Sequence, residues 1–242
     1  MQALPLPATL AATRHELQRV ATHVLARRRF DRCGRFGLRA TPGGFGTPAY
    51  GDDHEVLRVA GTRLVRETTG DTAATAWVEL SGSTLSDAAA FGGVDLAEPF
   101  AVGGDTVELG DIETPVEIDA ASVEVLADWY HFSSIVLDAT LATLGSAAAP
   151  TVVQLWPEHF DLGCDVAATP TRRVNLGASP GDTLVERPYL YLGPWNDERP
   201  GDASYWNAPF GAVATAEEVL AAADPLAAAI QFLLRGVALL RG

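Results

Sequence analysis

TVVQLWPEHFDLGCDVAATPTRRVNLGASPGDTLVERPYLYLGP, residues 151–194, decides the fold class. Four segments in it read as strands, TVVQLW, HFDLGCDVA, RRVNLGA and PYLYL, and only short turns such as SPGD separate them. Parallel strands need a crossover of about a dozen residues or more, so strands this closely spaced form an antiparallel meander. If residues 159–166 are extended, alternation sends Phe160, Leu162, Cys164 and Val166 to the core and His159, Asp161 and Asp165 to the opposite face. On the next segment Arg173 and Asn175 alternate with Val174 and Leu176, so they share the polar face.

Upstream, a helical pattern runs from Asp119, its N-cap, to about Leu144. Val123, Leu126, Ala127, Tyr130, Leu137, Leu141 and Leu144 form one apolar stripe, and Val125, Trp129, Phe132 and Val136 a second, as in a helix packed on two sides. Glu124, Asp128, His131 and Asp138 remain as its polar line. Residues 92–118 carry turn signals and at most short strands, and any boundary between halves is expected there. Nearer the N-terminus, Thr13 and Glu16 have capping-box spacing for an amphipathic helix ending near Phe30. Phe36, Leu38 and Ala40 alternate as a strand, TPGGFGTPAYGDD reads as an irregular loop, and EVLRVAGTRLVRET reads as a hairpin turning near Gly61. AATAWVEL follows as a strand, and a short helix starts at Thr84 with Asp87 at its third position. Downstream, Thr215 and Glu218 repeat the capping-box spacing, and Asp224-Pro225 opens a C-terminal helix with Leu226, Ile230, Leu233, Leu234, Val237 and Leu240 on its apolar face. The expected architecture is α+β, a mainly antiparallel sheet covered by N-terminal, central and C-terminal helices. A single domain of residues 1–242 is expected, with a possible subdivision into 1–91 and 119–242.

Composition narrows the function classes. The 242-residue chain is 48% hydrophobic and 20% charged, ordinary globular usage. No apolar run approaches the roughly 20 residues of a membrane span, and the N-terminal stretch lacks the pattern of a signal peptide, so a cytoplasmic location without membrane partners is expected. Cys33 and Cys164 are too few for a disulfide framework and are expected to be buried thiols. A net charge of −14 opposes a sequence-independent grip on nucleic acid. All 17 basic residues are arginine, which excludes Schiff-base chemistry and a P-loop lysine. Residues 1–66 hold 11 Arg against 5 acids, whereas residues 67–171 hold 18 acids and no Arg. The acid-only stretch is expected to face water, to meet the Arg-rich N-terminal segment or to bind a cation, and the cluster Arg27, Arg28, Arg29, Arg32 and Arg35 is expected to pack near its carboxylates.

No GxSxG, HExxH, Walker A or EF-hand pattern is present. The densest polar group is WPEHFDLGCDV, where Glu158, His159 and Asp161 have the chemistry of acid–base catalysis and His159, Asp161 and Asp165 that of a divalent-metal site. The plainer reading is a salt bridge from Arg173 to Asp161 or Asp165. Asp128 and His131, three apart on the central helix, form a second carboxylate–imidazole pair, with a satisfied, partly buried histidine as its plainer reading. A third set gathers around the long 193–209 loop. There Tyr189, Tyr191, Trp195 and Trp206, with Arg173 and Asn175 beside them, would stack on a planar or sugar-like ligand, while Tyr205 and Phe210 extend the cluster. Anchoring of the loop is the plainer use of the same aromatics.

The strand Phe160-Asp161-Leu162, the turn Ala178–Asp182, the strand Tyr189–Leu192, the Trp-containing loop and TAEEVLAAADP resemble a largely actinobacterial family of uncharacterised proteins, a domain of unknown function. GLRATPGGFGTPAYG is similar to that family's N-terminal part. The resemblance implies bacterial origin and one shared domain and assigns no activity. The leading expectation is an accessory protein that binds a small molecule or a protein partner beside the Trp-containing loop. The alternatives are a metal-dependent or acid–base hydrolase using His159, Asp161 and Glu158, and a homodimeric structural subunit. No cofactor is identified.

Overall fold

The computed structural model describes residues 6–71 and 73–242. The fold is α+β, with two antiparallel five-stranded sheets ordered β1-β2-β3-β4-β5 and β10-β9-β8-β7-β6. The chain forms two compact units, one of residues 6–131 with 155–160 and the other of residues 132–154 with 161–242. Among the described residues no helix is long and apolar enough to cross a membrane.

The first unit begins with α1 (Leu10–Val20), which continues without a break through a π-helical segment (Ala21–Ala26) into α2 (Arg27–Cys33). Its N-cap is Thr9; Thr13, expected as the cap, lies inside the helix and accepts a hydrogen bond from the Asp119 amide at 3.1 Å. Every residue of the π-helical segment is buried. Cys33 ends the helix exposed, against expectation, whereas Cys164 is buried. TPGGFGTPAYGDD is more regular than its breakers suggest. Thr41 ends β1 (Arg39–Thr41) and Gly44 opens β2 (Gly44–Gly46), with Gly43 taking the left-handed turn at φ +76°. Strands β3 (Val56–Ala60), β4 (Arg63–Thr68) and β5 (Ala74–Glu79) follow with the expected hairpin at Gly61. Then comes α3 (Leu85–Gly92), capped reciprocally by Thr84 and Asp87.

Glu55 holds this unit together electrostatically. Its side chain is 0% exposed. Arg28 reaches it with Nε to Oε1 at 2.9 Å and Nη2 to Oε2 at 3.1 Å, Arg66 adds Nε to Oε2 at 2.8 Å, and the Tyr50 hydroxyl donates to Oε1. Burial alone would push the carboxyl up, but the donors from Arg28, Tyr50 and Arg66 outweigh it and bring it from 4.5 to about 2.

The arginine cluster does not pair with the carboxylates of the acid-only stretch as expected, although Arg58 and Arg63, later in the N-terminal segment, do pair with Glu67 and Glu79. Arg27 pairs with Asp31, Arg28 with Glu55 and Arg32 with Asp53, all carboxylates of the N-terminal segment itself. What the cluster takes from the later stretch is main-chain oxygen and one ring: Arg27 bonds the Glu98 carbonyl at 3.0 Å and lies 5.3 Å from the Phe100 ring centre, and Arg28 bonds the Gly93 carbonyl at 3.2 Å. Arg19 bonds the Leu109 carbonyl at 3.0 and 2.7 Å and that of Asp111 at 2.5 Å, and the His23 ring bonds Val107 O at 2.8 Å. A segment without strands leaves its carbonyls unpaired, and these donors satisfy them.

Helix α4 (Ala120–Leu144) is capped by Asp119, whose Oδ2 accepts from Ser122 N at 2.9 Å. Residues 120–131 belong to the first unit and 132–144 to the second. Leu126, Trp129, Tyr130 and Leu137 are buried as expected, and Glu124, Asp128, His131 and Asp138 stay exposed. The second sheet then runs as a meander: β6 (Gln154–Trp156), β7 (Asp161–Thr169), β8 (Arg172–Ser179), β9 (Tyr189–Pro194) and β10 (Ala212–Thr215). Helix α5 (Ala216–Leu220) has the Thr215–Glu218 capping box, and α6 (Pro225–Arg241) starts at Asp224 and packs on β7–β10.

Two outcomes check this account. Leu126 is 1% exposed, so Leu126→Ala should cost about 2–5 kcal/mol in chemical unfolding. The lowered Glu55 carboxyl contributes about 3 kcal/mol, fully present above 4.5 and lost as the pH falls toward 2. Urea midpoints of the parent should therefore drop over that interval, and Glu55→Gln should be destabilised at neutral pH with a flatter acid limb.

Candidate functional site

Strands β7, β8 and β9 present one apolar and one polar face. The pairings Gly163↔Gly177, Asp165↔Asn175, Gly177↔Tyr191, Asn175↔Gly193 and Ser179↔Tyr189 fix the polar face, which Asp161 joins by alternation. Leu162, Cys164, Val166, Val174, Leu176, Leu190 and Leu192 form the opposite, buried face. Burial raises the Cys164 thiol to about 12, which leaves it inert at neutral pH.

The polar face is closed at one end and open at the other. At the closed end the Tyr191 hydroxyl donates to Asp161 Oδ2, and the Tyr189 hydroxyl donates to Asp182 Oδ2. Asp182 also organises the SPGD turn, its Oδ1 accepting from the amides of Leu184 at 2.8 Å and Val185 at 2.9 Å, while Ser179 Oγ accepts from Gly181 N at 3.1 Å. Burial, and then the charge of Asp161, push the Tyr191 phenol well up; burial and the bond to Asp182 raise that of Tyr189. The Tyr191 ring reaches Asp161 because Gly177 has no side chain, since a Cβ there would lie 2.4 Å from the ring's Cζ. The pair Asp161–Tyr191 thus depends on a glycine one strand away.

At the open end Arg173 Nε bonds Asp165 Oδ1, and its Nη2 bonds the Ala149 carbonyl at 3.0 Å. This is the salt bridge that alternation suggested, made to Asp165. Trp195 is 64% exposed, yet its Nε1 donates to Asn175 Oδ1 at 2.8 Å and the Arg173 guanidinium lies 5.9 Å from its ring centre. Among the described residues the amide nitrogen of Asn175 has no partner. Trp206 is a loop anchor, donating to the Pro200 carbonyl at 2.9 Å and meeting Tyr205 edge-on at 5.0 Å. Tyr205 in turn bonds the Phe232 carbonyl at 2.9 Å. The aromatic set therefore divides: Trp206 and Tyr205 pin the loop, Tyr189 and Tyr191 bind carboxylates, and Trp195 faces solvent.

His159 does not extend the polar face as expected. Residues 157–160 form a turn that ends with Phe160 at φ 55°, which breaks the alternation before β7 begins at Asp161. In the first unit Gln18 Nε2 bonds the Glu158 carbonyl at 2.8 Å, and Thr22 Oγ1 bonds that of Pro157 at 3.2 Å. The exposed His159 Nδ1 lies 4.0 Å from Asp105. Burial raises the Glu158 carboxyl, whose Oε2 is buried without a hydrogen-bond partner among the described residues. No group of three His, Cys, Asp or Glu side chains among the described residues is arranged to hold a metal ion, including His159 with Asp161 and Asp165.

Asp128 and His131 line an open groove of about 360 Å³, with Glu124 and Val123 from the same helix face and Pro42 and Gly61 from two hairpin turns. His131 is exposed, not partly buried as its plainer reading had it. No protein-family model matches the chain, and no curated protein or solved structure matches it.

Removing the phenol oxygen at the closed end tests its structural worth. Tyr191→Phe deprives a buried carboxylate of one donor and should cost about 1–3 kcal/mol in urea unfolding. Gly177→Ala, which drives the Tyr191 ring off its seat, should cost at least as much.

Proposed function

We propose that the protein is a binding protein for a small, uncharged polar ligand, held at the open end of the polar face of β7–β9. The observation that carries this reading is the posture of Trp195. A solvent-exposed indole ordinarily samples several rotamers, and this one is tethered through Nε1 to Asn175 and lies near Arg173. A fixed aromatic plane beside a free amide donor suits a molecule with one flat apolar face and an acceptor oxygen at its rim, the chemistry of a sugar ring. The chain's negative charge disfavours anionic ligands.

Titration of mono- and oligosaccharides against tryptophan fluorescence tests this reading, with Trp195→Phe identifying the reporting ring. Binding that Trp195→Ala and Asn175→Ala both weaken about tenfold or more is the expected outcome. Binding left unchanged by Trp195→Ala, or no response to any sugar, would overturn it.

Acid–base hydrolysis at Glu158 is a second reading, favoured by the raised carboxyl and the neighbouring His159–Asp105 pair. It requires an ester or glycoside substrate whose turnover disappears in Glu158→Gln and survives Asp161→Asn. Turnover in the reverse pattern would place the chemistry on the sheet face.

A further inference from the structure

The outer edge of β5 is an unused pairing surface. Strand β5 ends the first sheet, pairs regularly with β4 and has no partner on its other side among the described residues. Five of its six residues are exposed and Trp77 is 53% exposed. Leu80 N donates to the Thr62 carbonyl at 2.8 Å, which sets the phase of the strand. By alternation Ala74, Ala76 and Val78 direct their backbone groups toward β4, and Thr75, Trp77 and Glu79 direct theirs outward. Natural edges are normally blunted by lysine, proline, a bulge or an inward charge. Between Ala74 and Glu79 there is none of these, and the one charged side chain, Glu79, stands at the strand's end against Arg63.

We propose that β5 pairs antiparallel with β5 of a second copy of this chain, joining the two first sheets across a two-fold axis that places Trp77 opposite its own counterpart. In this register Thr75 of each copy faces Glu79 of the other, so the one carboxylate of the strand meets a hydroxyl. Thr75, Trp77 and Glu79 are the residues with outward N–H and C=O groups, and all three find partners. Both solvent-side faces fall on the same side of the joined sheet, where the two indoles form a cross-strand aromatic pair. Trp77 is already fixed, with the Arg63 guanidinium 4.0 Å from its ring centre and Arg63 Nε 3.6 Å from Glu79.

Charge permits a second copy as the occupant, and the self-matching register favours it. Residues 56–79 contain Arg58, Arg63 and Arg66 against Glu67, Asp71 and Glu79, a net of zero in a chain of −14. Two such edges approach without the repulsion that the acidic stretches would impose, and the match of Thr75 to Glu79 is built into the self-pairing.

Sedimentation velocity of the full chain over a wide concentration range tests the proposal. The parent should show a reversible monomer–dimer equilibrium. Thr75→Pro removes an outward N–H and no β4 hydrogen bond, so it should weaken the dimer about tenfold or more while circular dichroism and thermal unfolding stay near the parent's. Trp77→Lys should act in the same direction, and Ala76→Ser and Trp195→Ala should leave the dimer intact. A parent that stays monomeric at every concentration overturns the proposal, including one that pairs only with foreign strand peptides. So does a folded Thr75→Pro that dimerises like the parent.

Discussion

A carboxylate without water must be surrounded by donors, and Glu55 is the place in the first unit where that demand is met in full. Arg28 brings the end of the N-terminal helix to it, Arg66 brings β4, and Tyr50 brings the loop between β2 and β3. Uncompensated burial of such a charge costs several kcal/mol, so the ion and its donors stand or fall together. The absence of lysine matters here. A guanidinium is a planar fork that can bond two oxygens at once and remains charged at any relevant pH, so two arginines supply donors to both carboxylate oxygens.

The same forked geometry explains how the acidic stretch is secured. Attraction between the basic helix and the acid-rich segment was legible in the charge distribution, but the atoms engaged were not. Carboxylates on a turn-rich segment are well solvated and gain little from pairing, whereas its carbonyls lack strand partners and gain a donor. Arg19, Arg27, Arg28 and His23 therefore bond to the main chain at Leu109, Asp111, Glu98, Gly93 and Val107. Side-chain type can be read from a sequence. Which backbone oxygen lies within reach depends on a path that residues 92–118 trace without any period to reveal it.

Where periodicity was strong, the reading held. The strands between residues 154 and 194, the two-sided helix ending at Leu144 and the capping boxes at Thr84 and Thr215 all follow from local rules. Local rules were overridden at Phe160, whose positive φ removes His159 from the polar face, and at Gly44–Gly46, where glycines that signal a loop enter β2. A Cβ on Gly46 would lie 2.3 Å from the Cβ of Arg58, so that strand is built for close approach. On the polar face Asp161, Asp165, Arg173 and Asn175 were legible by alternation. Asp182 and Ser179 were not, because their roles arise from a turn that folds back on Tyr189 and not from any repeat.

Trp77 and Trp195 show why exposure alone does not name a partner. Both rings are open to solvent and both are steadied by a neighbouring arginine. Around Trp77 the polar groups on offer are main-chain donors and acceptors in a straight, evenly spaced row, which only another extended chain can match in number and direction. Around Trp195 the unpaired group is a single side-chain amide, and one donor next to one aromatic plane suits a ligand with one acceptor and one flat face. The sheet edge is specific through repetition, the indole–amide pair through a single contact. Their ligands should differ accordingly in size, and in whether side chains or backbone decide affinity.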